Sequence, residues 1–188
     1  MSKYISFFID NSYGMYDSDF NSTIPDNSIE LTDEEYYRII NERDGIWTLE
    51  DGKVVKIPTP PPPLDFVKSA KIAEIDAACA AAITAGQTSA ALGTAHTYPS
   101  QPNDQANLTA NVLKSIFPVN ALNKEWKTYH LCADSSGLWA YRAHTAAQIQ
   151  QVGDDVSASI MTLLMKNQGL KASVSACATI ADVKAVAW

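Results

Sequence analysis

The stretch Ile57-Pro58-Thr59-Pro60-Pro61-Pro62-Pro63-Leu64 divides the chain into two parts of different character. Its five prolines lack amide hydrogens and hold φ near one value, so they can extend neither a ladder nor a helix. The stretch therefore predicts an extended, polyproline-II-like spacer over 58–64. On its N-terminal side, residues 1–57 read as a small β-rich module. On its C-terminal side, 65–188 read as a mainly α-helical domain with one β-hairpin near 126–143. The expected class is α+β. Charge obeys the same border. Met1 to Leu64 carries five basic residues against twelve acidic ones, which is the whole net charge of −7, while the rest of the chain carries nine of each.

A length of 188 residues suits one large domain or two small ones and is enough to bury a core. The acidic balance argues against a grip on a phosphate backbone, so no nucleic-acid partner is expected. No uninterrupted apolar run approaches the roughly 20 residues of a membrane span. Met1 to Asp10 lacks the basic start and small-residue exit of a signal peptide. No membrane partner is expected, and the cytoplasm is the expected compartment. Cys79, Cys132 and Cys177 are odd in number and far apart, which predicts buried thiols rather than disulfides.

Within the first part, Tyr4 to Ile9 has the aromatic and β-branched content of a strand, and residues 11–21 are rich in turn formers. Thr32 with Glu35 three residues on makes a capping box, predicting a helix over Asp33 to Asn41 with its acidic residues at the positive end. Asp51-Gly52 supplies the positive φ angles of a tight turn between Ile46–Glu50 and Lys53–Ile57.

Past the prolines, Asp65 is placed to cap a helix whose stripe is Ile72, Ile75, Cys79 and Ile83, ending at Gly86. Pro102 can open a second helix with Leu108, Val112 and Ile116 on one face, and the two helices suggest a helical hairpin. Trp126 to Ala133 and Leu138 to Ala143 bracket Asp134-Ser135-Ser136-Gly137, the one place where strands are expected to interrupt the helices. Thr145 and Gln148 form another capping box, followed by Ile149, Val152, Val156, Ile160 and Leu163 or Leu164, with Gly169 as the expected stop. Thr179 begins a last short helix with Ile180, Val183 and Val186 inward and Trp188 as an anchor.

The chemistry-bearing residues have plain structural explanations. There are three histidines, no Gly-x-Ser-x-Gly elbow, no phosphate-binding loop and no dinucleotide fingerprint. His130 and Cys132 share one face of a strand, but nothing at recognisable spacing completes a metal site. His144 falls in the cap region of a helix. Asp33, Glu34 and Glu35 match a helix start, Asp134 a hairpin loop, and Asp154-Asp155 the polar side of a helix. No catalytic residue, cofactor or metal is expected, so the residues describe an interaction protein rather than an enzyme.

Two segments carry a resemblance. Ile24-Pro25-Asp26-Asn27-Ser28-Ile29-Glu30-Leu31-Thr32-Asp33-Glu34-Glu35, followed by the Asp51-Gly52 hairpin and the proline run, resembles the tail fibre assembly proteins of tailed bacteriophages. Tyr98-Pro99-Ser100-Gln101-Pro102-Asn103-Asp104-Gln105-Ala106-Asn107-Leu108-Thr109, with Trp139, Thr145 to Gln148 and the closing Thr179 to Trp188, is similar to the DUF4376 domain found on phage tail proteins. The resemblance implies a chaperone in the cytoplasm of an infected bacterium, bound to the distal C-terminal region of a trimeric tail fibre. Its alternative is a tip protein or adhesin retained on the virion, with a host-surface glycan as partner. Less favoured is an enzyme that degrades surface polysaccharide. Candidate contacts are Tyr13, Tyr16 and Phe20 in the turn-rich segment, Trp47 in the hairpin (read more readily as core), Tyr98, Gln105 and Asn107 in the second signature, and Trp139. Trp126, Trp139 and Tyr141 are expected to cover one side of the helices.

Overall fold

The computed structural model describes residues 2–10 and 12–188, apart from the side chain of residue 121. The chain is mixed α+β and divides into two compact units, Met1–Pro61 and Pro62–Trp188.

In the first unit, β1 (Lys3–Phe7) is the central strand of an antiparallel sheet ordered β2-β1-β3, with β2 at Tyr13–Asp17 and β3 at Ile29–Leu31. The strand expected over Tyr4 to Ile9 therefore ends early, and Phe8 and Ile9 follow it exposed. The turn-rich stretch begins at residue 11, outside the described residues, and its middle corrects the expectation. Tyr13 to Asp17 is a strand because Tyr13 and Met15 stand opposite Phe7 and Ile5, a pairing that turn-forming composition does not register. Helix α1 (Asp33–Asn41) has the expected capping box, with Thr32 Oγ1 accepting from the Glu35 amide at 3.2 Å and Glu35 Oε2 accepting from the Thr32 amide at 2.8 Å. Strands β4 (Gly45–Glu50) and β5 (Lys53–Pro58) form the hairpin, turning through Asp51 at φ 49° and Gly52 at φ 75°. Ile5, Leu31, Ile39 and Trp47 make the core of this unit.

Because β5 runs through Pro58 and the next helix starts at Leu64, only 59–63 of the proline segment is free of regular structure. That helix, α2 (Leu64–Thr84), has Pro63 at its N-cap, so Asp65 does not cap it. Asp65 sits in the first turn instead, where its charge still faces the positive end of the helix.

The second unit continues with β6 (Gln87–Ser89), β7 (His96–Tyr98), α3 (Pro102–Ile116), α4 (Pro118–Ala121), β8 (Lys127–Ala133), β9 (Trp139–Thr145), α5 (Ala146–Ala176) and α6 (Ile180–Ala185). Its four strands form an antiparallel meander, β6-β7-β8-β9. Strands thus interrupt the helices twice rather than once. Gln87-Thr88-Ser89 and His96-Thr97-Tyr98 are short and polar, with no apolar alternation to betray them. Nor do α2 and α3 make a helical hairpin, since each packs on α5 instead.

Helix α5 is the axis of the unit. Contacts from Ser115 to Gln150 and Val112 to Gly153, and from Cys79 to Leu163 and Asp76 to Lys171, show α3 and α2 lying antiparallel along its first and second halves. It passes straight through Gly169, where an end was expected, because its buried face continues into Leu170 and Val174. Its first half, with Ile149, Val152 and Val156, joins Tyr98, Leu108 and Cys132 in one core. Its second half, with Val174, joins Ile75 and Val183 in another. Three further expectations are corrected here. Ile116 is exposed rather than inward, and Cys177 is only half-buried while Cys79 and Cys132 are buried. His144 directly precedes the N-cap Thr145, as expected, and is a fully buried residue of β9. Trp126 packs on the core, whereas Trp139 and Tyr141 lie on the outer face of the β8–β9 hairpin and are exposed. Among the described residues, no helix is long and apolar enough to cross a membrane.

Candidate partner-binding surface

The first unit exposes more apolar surface than its folding requires. Phe8, Ile9, Tyr13, Phe20, Tyr37, Ile40, Ile46, Leu49 and Ile57 are all exposed, in a unit of 61 residues. Scattered exposed hydrophobes are ordinary, but six of these, Phe8, Tyr13, Ile40, Ile46, Leu49 and Ile57, line two hollows. One, about 420 Å³, is lined by Tyr13, Met15, Ile39, Ile40, Glu42, Arg43, Gly45, Ile46 and Trp47. The other, about 340 Å³, is lined by Phe7, Phe8, Ile46, Trp47, Thr48, Leu49 and Ile57. Ile46 and Trp47 line both. The first hollow also includes two residues of β2, which pairs with β1 alone and so offers an open strand edge beside an apolar trough.

Ion pairs border this surface. Lys56 Nζ lies 2.7 Å from both Glu42 and Asp44, and Arg38 Nε lies 3.1 Å from Glu42. Both cations stand near the Trp47 ring, at 5.6 Å for Arg38 and 5.8 Å for Lys56. The Lys56 ammonium, helped by Arg38, holds the Glu42 carboxyl below its ordinary range, and Lys56 does the same for Asp44. Lys3 pairs with Asp33 at 2.8 Å and lies over Tyr36 and Tyr37. Part of the acidic excess is thus neutralised within the unit.

Of the residues singled out from sequence, Tyr13 lines the first hollow, Tyr16 is half-buried in β2 and Phe20 is 83% exposed beyond it. Trp47 floors both hollows but is itself almost wholly buried, with its indole N–H donating to the Glu42 carbonyl, so it is core rather than a projecting contact. Tyr98 is corrected outright. It has no exposed surface, and its ring belongs to the core of the second unit. Gln105 donates to the Ser100 carbonyl at 2.9 Å, satisfying backbone at the entry of α3. Asn107 and Trp139 are exposed. Sequence reasoning missed Phe8, Ile9, Ile40, Ile46 and Leu49. Hydrophobic periodicity marks such residues as core, and only the small size of the unit, with too little interior for them all, signals otherwise.

The second unit holds a buried polar cluster. His144 Nδ1 donates to the Arg142 carbonyl at 2.9 Å, which makes Nε2 the acceptor for the Tyr98 hydroxyl, also at 2.9 Å. Burial lowers the basicity of His130 and His144 and raises the Tyr98 phenol and the Cys132 thiol. Cys132 is therefore held as a protonated thiol, the unreactive form. Asp134 clasps the hairpin loop by accepting from Ser136 and Leu138 and pairing with Arg142 at 2.7 Å, and it is pushed down to about 2, chiefly by Ser136. This cluster is suited to locking the meander together. Among the described residues, no group of three or more His, Cys, Asp or Glu is placed to hold a metal ion.

The chain is thus a two-unit α+β protein whose second unit is an antiparallel meander backed by one long helix. Residues 66–187 match the family described as a domain of unknown function, DUF4376, and the chain belongs to that family. No curated protein and no solved structure matches it.

Proposed function

We propose that the chain is an assembly chaperone for a trimeric bacteriophage tail fibre, acting in the cytoplasm of the infected bacterium through its first unit. The observation that carries this reading is the pair of apolar hollows meeting at Ile46 and Trp47, one of them beside the open edge of β2. Such a surface accepts an extended segment. Strand addition supplies backbone hydrogen bonds, and an adjacent trough receives alternate side chains. The order of features in the first unit, from the proline-aspartate turn through the acid-capped helix and the hairpin to the prolines, resembles fibre assembly proteins and points the same way.

The physical need for such a helper is general. A trimer rich in β-structure must pair three chains over long sequence separations, which is slow and leaves strand edges and apolar surface open to aggregation. A small acidic unit that covers a fibre end suppresses that route and keeps the complex soluble. No covalent step is part of this role.

Coexpression of the fibre's C-terminal region with the full chain, followed by native mass measurement, tests it. Soluble fibre trimer is expected with the unaltered chain and is expected to be lost with Ile46→Glu, a change at a half-exposed position lining both hollows. Equal yields of trimer with and without the chain would remove the basis of the proposal.

A further inference from the structure

The meander ends on one side in β6, three residues long, and on the other in β9, seven residues long and hydrogen-bonded to β8 alone. We propose that β9 pairs antiparallel with β9 of a second copy of this chain, joining two meanders into one continuous sheet across a two-fold axis. The inference stands on the second unit alone and does not rest on the proposed role of the first.

The phase of the β8–β9 ladder fixes which backbone groups are free. The Asp134 amide donates to the Leu138 carbonyl at 3.3 Å, and from that closing pair the mutual bonds fall on Cys132–Ala140, His130–Arg142 and Thr128–His144. The amides and carbonyls of Trp139, Tyr141 and Ala143 therefore point away from β8, and they meet no partner among the described residues. At the far end the edge is closed, since the Thr145 amide donates to Gln148 Oε1 at 2.9 Å. The stretch from Trp139 to Ala143 is thus a template for one more strand. The devices that usually guard such an edge are missing. It has no proline and no lysine, each of its residues pairs one to one with β8 without a bulge, and its single charge, Arg142, is held by Asp134 at 2.7 Å.

Charge and side-chain size select a second copy as the occupant. Residues 65–188 carry nine basic and nine acidic side chains, so two such units meet without net repulsion. With Arg142 already paired, the edge offers no free charge to recruit an acidic or a basic segment. Its own sequence is complementary to itself. With Tyr141 opposite Tyr141 of the second copy, the bulky Trp139 faces the small Ala143, the long Arg142 faces Ala140, and all the outward amides and carbonyls are used. Sliding the register by two residues is worse in both directions. One way sets Arg142 against Arg142, and the other carries Ala143 past the end of the second strand. The pairing also covers part of the outer face, where Trp139 and Tyr141 are 48% and 71% exposed in a single copy.

The test is sedimentation equilibrium of the full chain from about 1 to 200 µM. One strand from each copy makes a small interface, so the mass is expected to rise from 20.4 kDa toward twice that value with a dissociation constant of about 10–100 µM. Ala143→Pro removes an amide that the β8 ladder does not use, and is expected to raise that constant at least tenfold while the thermal midpoint holds. Should the proline disturb the strand, Tyr141→Lys, at an exposed position, sets two ammonium groups opposite each other and is expected to weaken the dimer to the same degree. The register is read by cross-linking in a Cys177→Ser background. Tyr141→Cys is expected to form a disulfide-linked dimer on mild oxidation, whereas Ala143→Cys is expected to link to Trp139→Cys and not to itself. The proposal is overturned if the mass stays at that of one chain up to about 200 µM, if the dimer survives Tyr141→Lys unchanged, or if Tyr141→Cys fails to link where the mass has doubled.

Discussion

Two glycines of α5 make the same substitution act in opposite directions. At Gly169, a Cβ would meet nothing within 4 Å, and the helix continues on both sides. Gly169→Ala therefore removes the entropic cost of glycine in a helix interior with no steric consequence, and a gain of about 0.5–1 kcal/mol is expected. At Gly153, a Cβ would lie 2.9 Å from Val112 Cγ2, where α3 crosses α5. A valine is short and stiff at χ1, so the helices must part, and overpacking of this kind costs about 1–3 kcal/mol. Setting the same helix gain against it leaves Gly153→Ala less stable by about 1 kcal/mol. Both values are read from urea unfolding followed by helical circular dichroism, which reports the second unit, where all helices but α1 lie. On heating, the midpoint should rise by about 2–3 °C for Gly169→Ala and fall by a similar amount for Gly153→Ala. A loss of stability in Gly169→Ala would mean that the residue ends the helix in a left-handed conformation. Equal gains at both positions would mean that the α3–α5 crossing is looser than the Val112 contact requires.

Acid should weaken the second unit before its carboxylates titrate. His130 and His144 are held below their ordinary basicity by burial, so the unfolded chain takes up protons near pH 6.5 that the folded one refuses. Their contribution is intact above that range and is lost as pH falls below it, with a combined slope of at most about 2.7 kcal/mol per pH unit. A thermal midpoint that stays level between about pH 7.5 and 5.5 would contradict this. Tyr98→Phe should cost about 1–3 kcal/mol, because it strands the buried His144 Nε2 acceptor, and calorimetry of the second unit measures it. In the first unit, Thr32→Ala removes the side chain that caps α1 and should lower stability by about 1 kcal/mol, followed through the Trp47 indole resonance.

What the sequence discloses depends on how local the cause is. The capping boxes at Thr32 and Thr145 and the Asp51-Gly52 turn are written in residues a few positions apart, and the elements they set are found where the pattern puts them. Tyr13 to Asp17 is a strand only because Lys3 to Phe7 lies beside it, and β6 and β7 exist only as additions to a sheet whose longer strands come some 30 residues later. The stop expected at Gly169 failed because α2 and α6 wait on the far side to bury Leu170 and Val174. The sites fared similarly. Tyr13 was legible as an aromatic contact candidate among turn formers, whereas its place in β2 beside the first hollow depends on the pairing with β1 and has no local signature.

The long helix serves two masters. Around Met161 to Met165, between the core shared with the meander and the core shared with α2 and α6, it turns exposed thioethers and leucine outward on one side while α2 covers the other at Cys79. Opening should therefore divide the helix between its two cores. The tail from about Gly169 to Trp188 can then peel away as one piece while the meander stays closed, and amides in the tail should exchange with solvent sooner than those near Ile149.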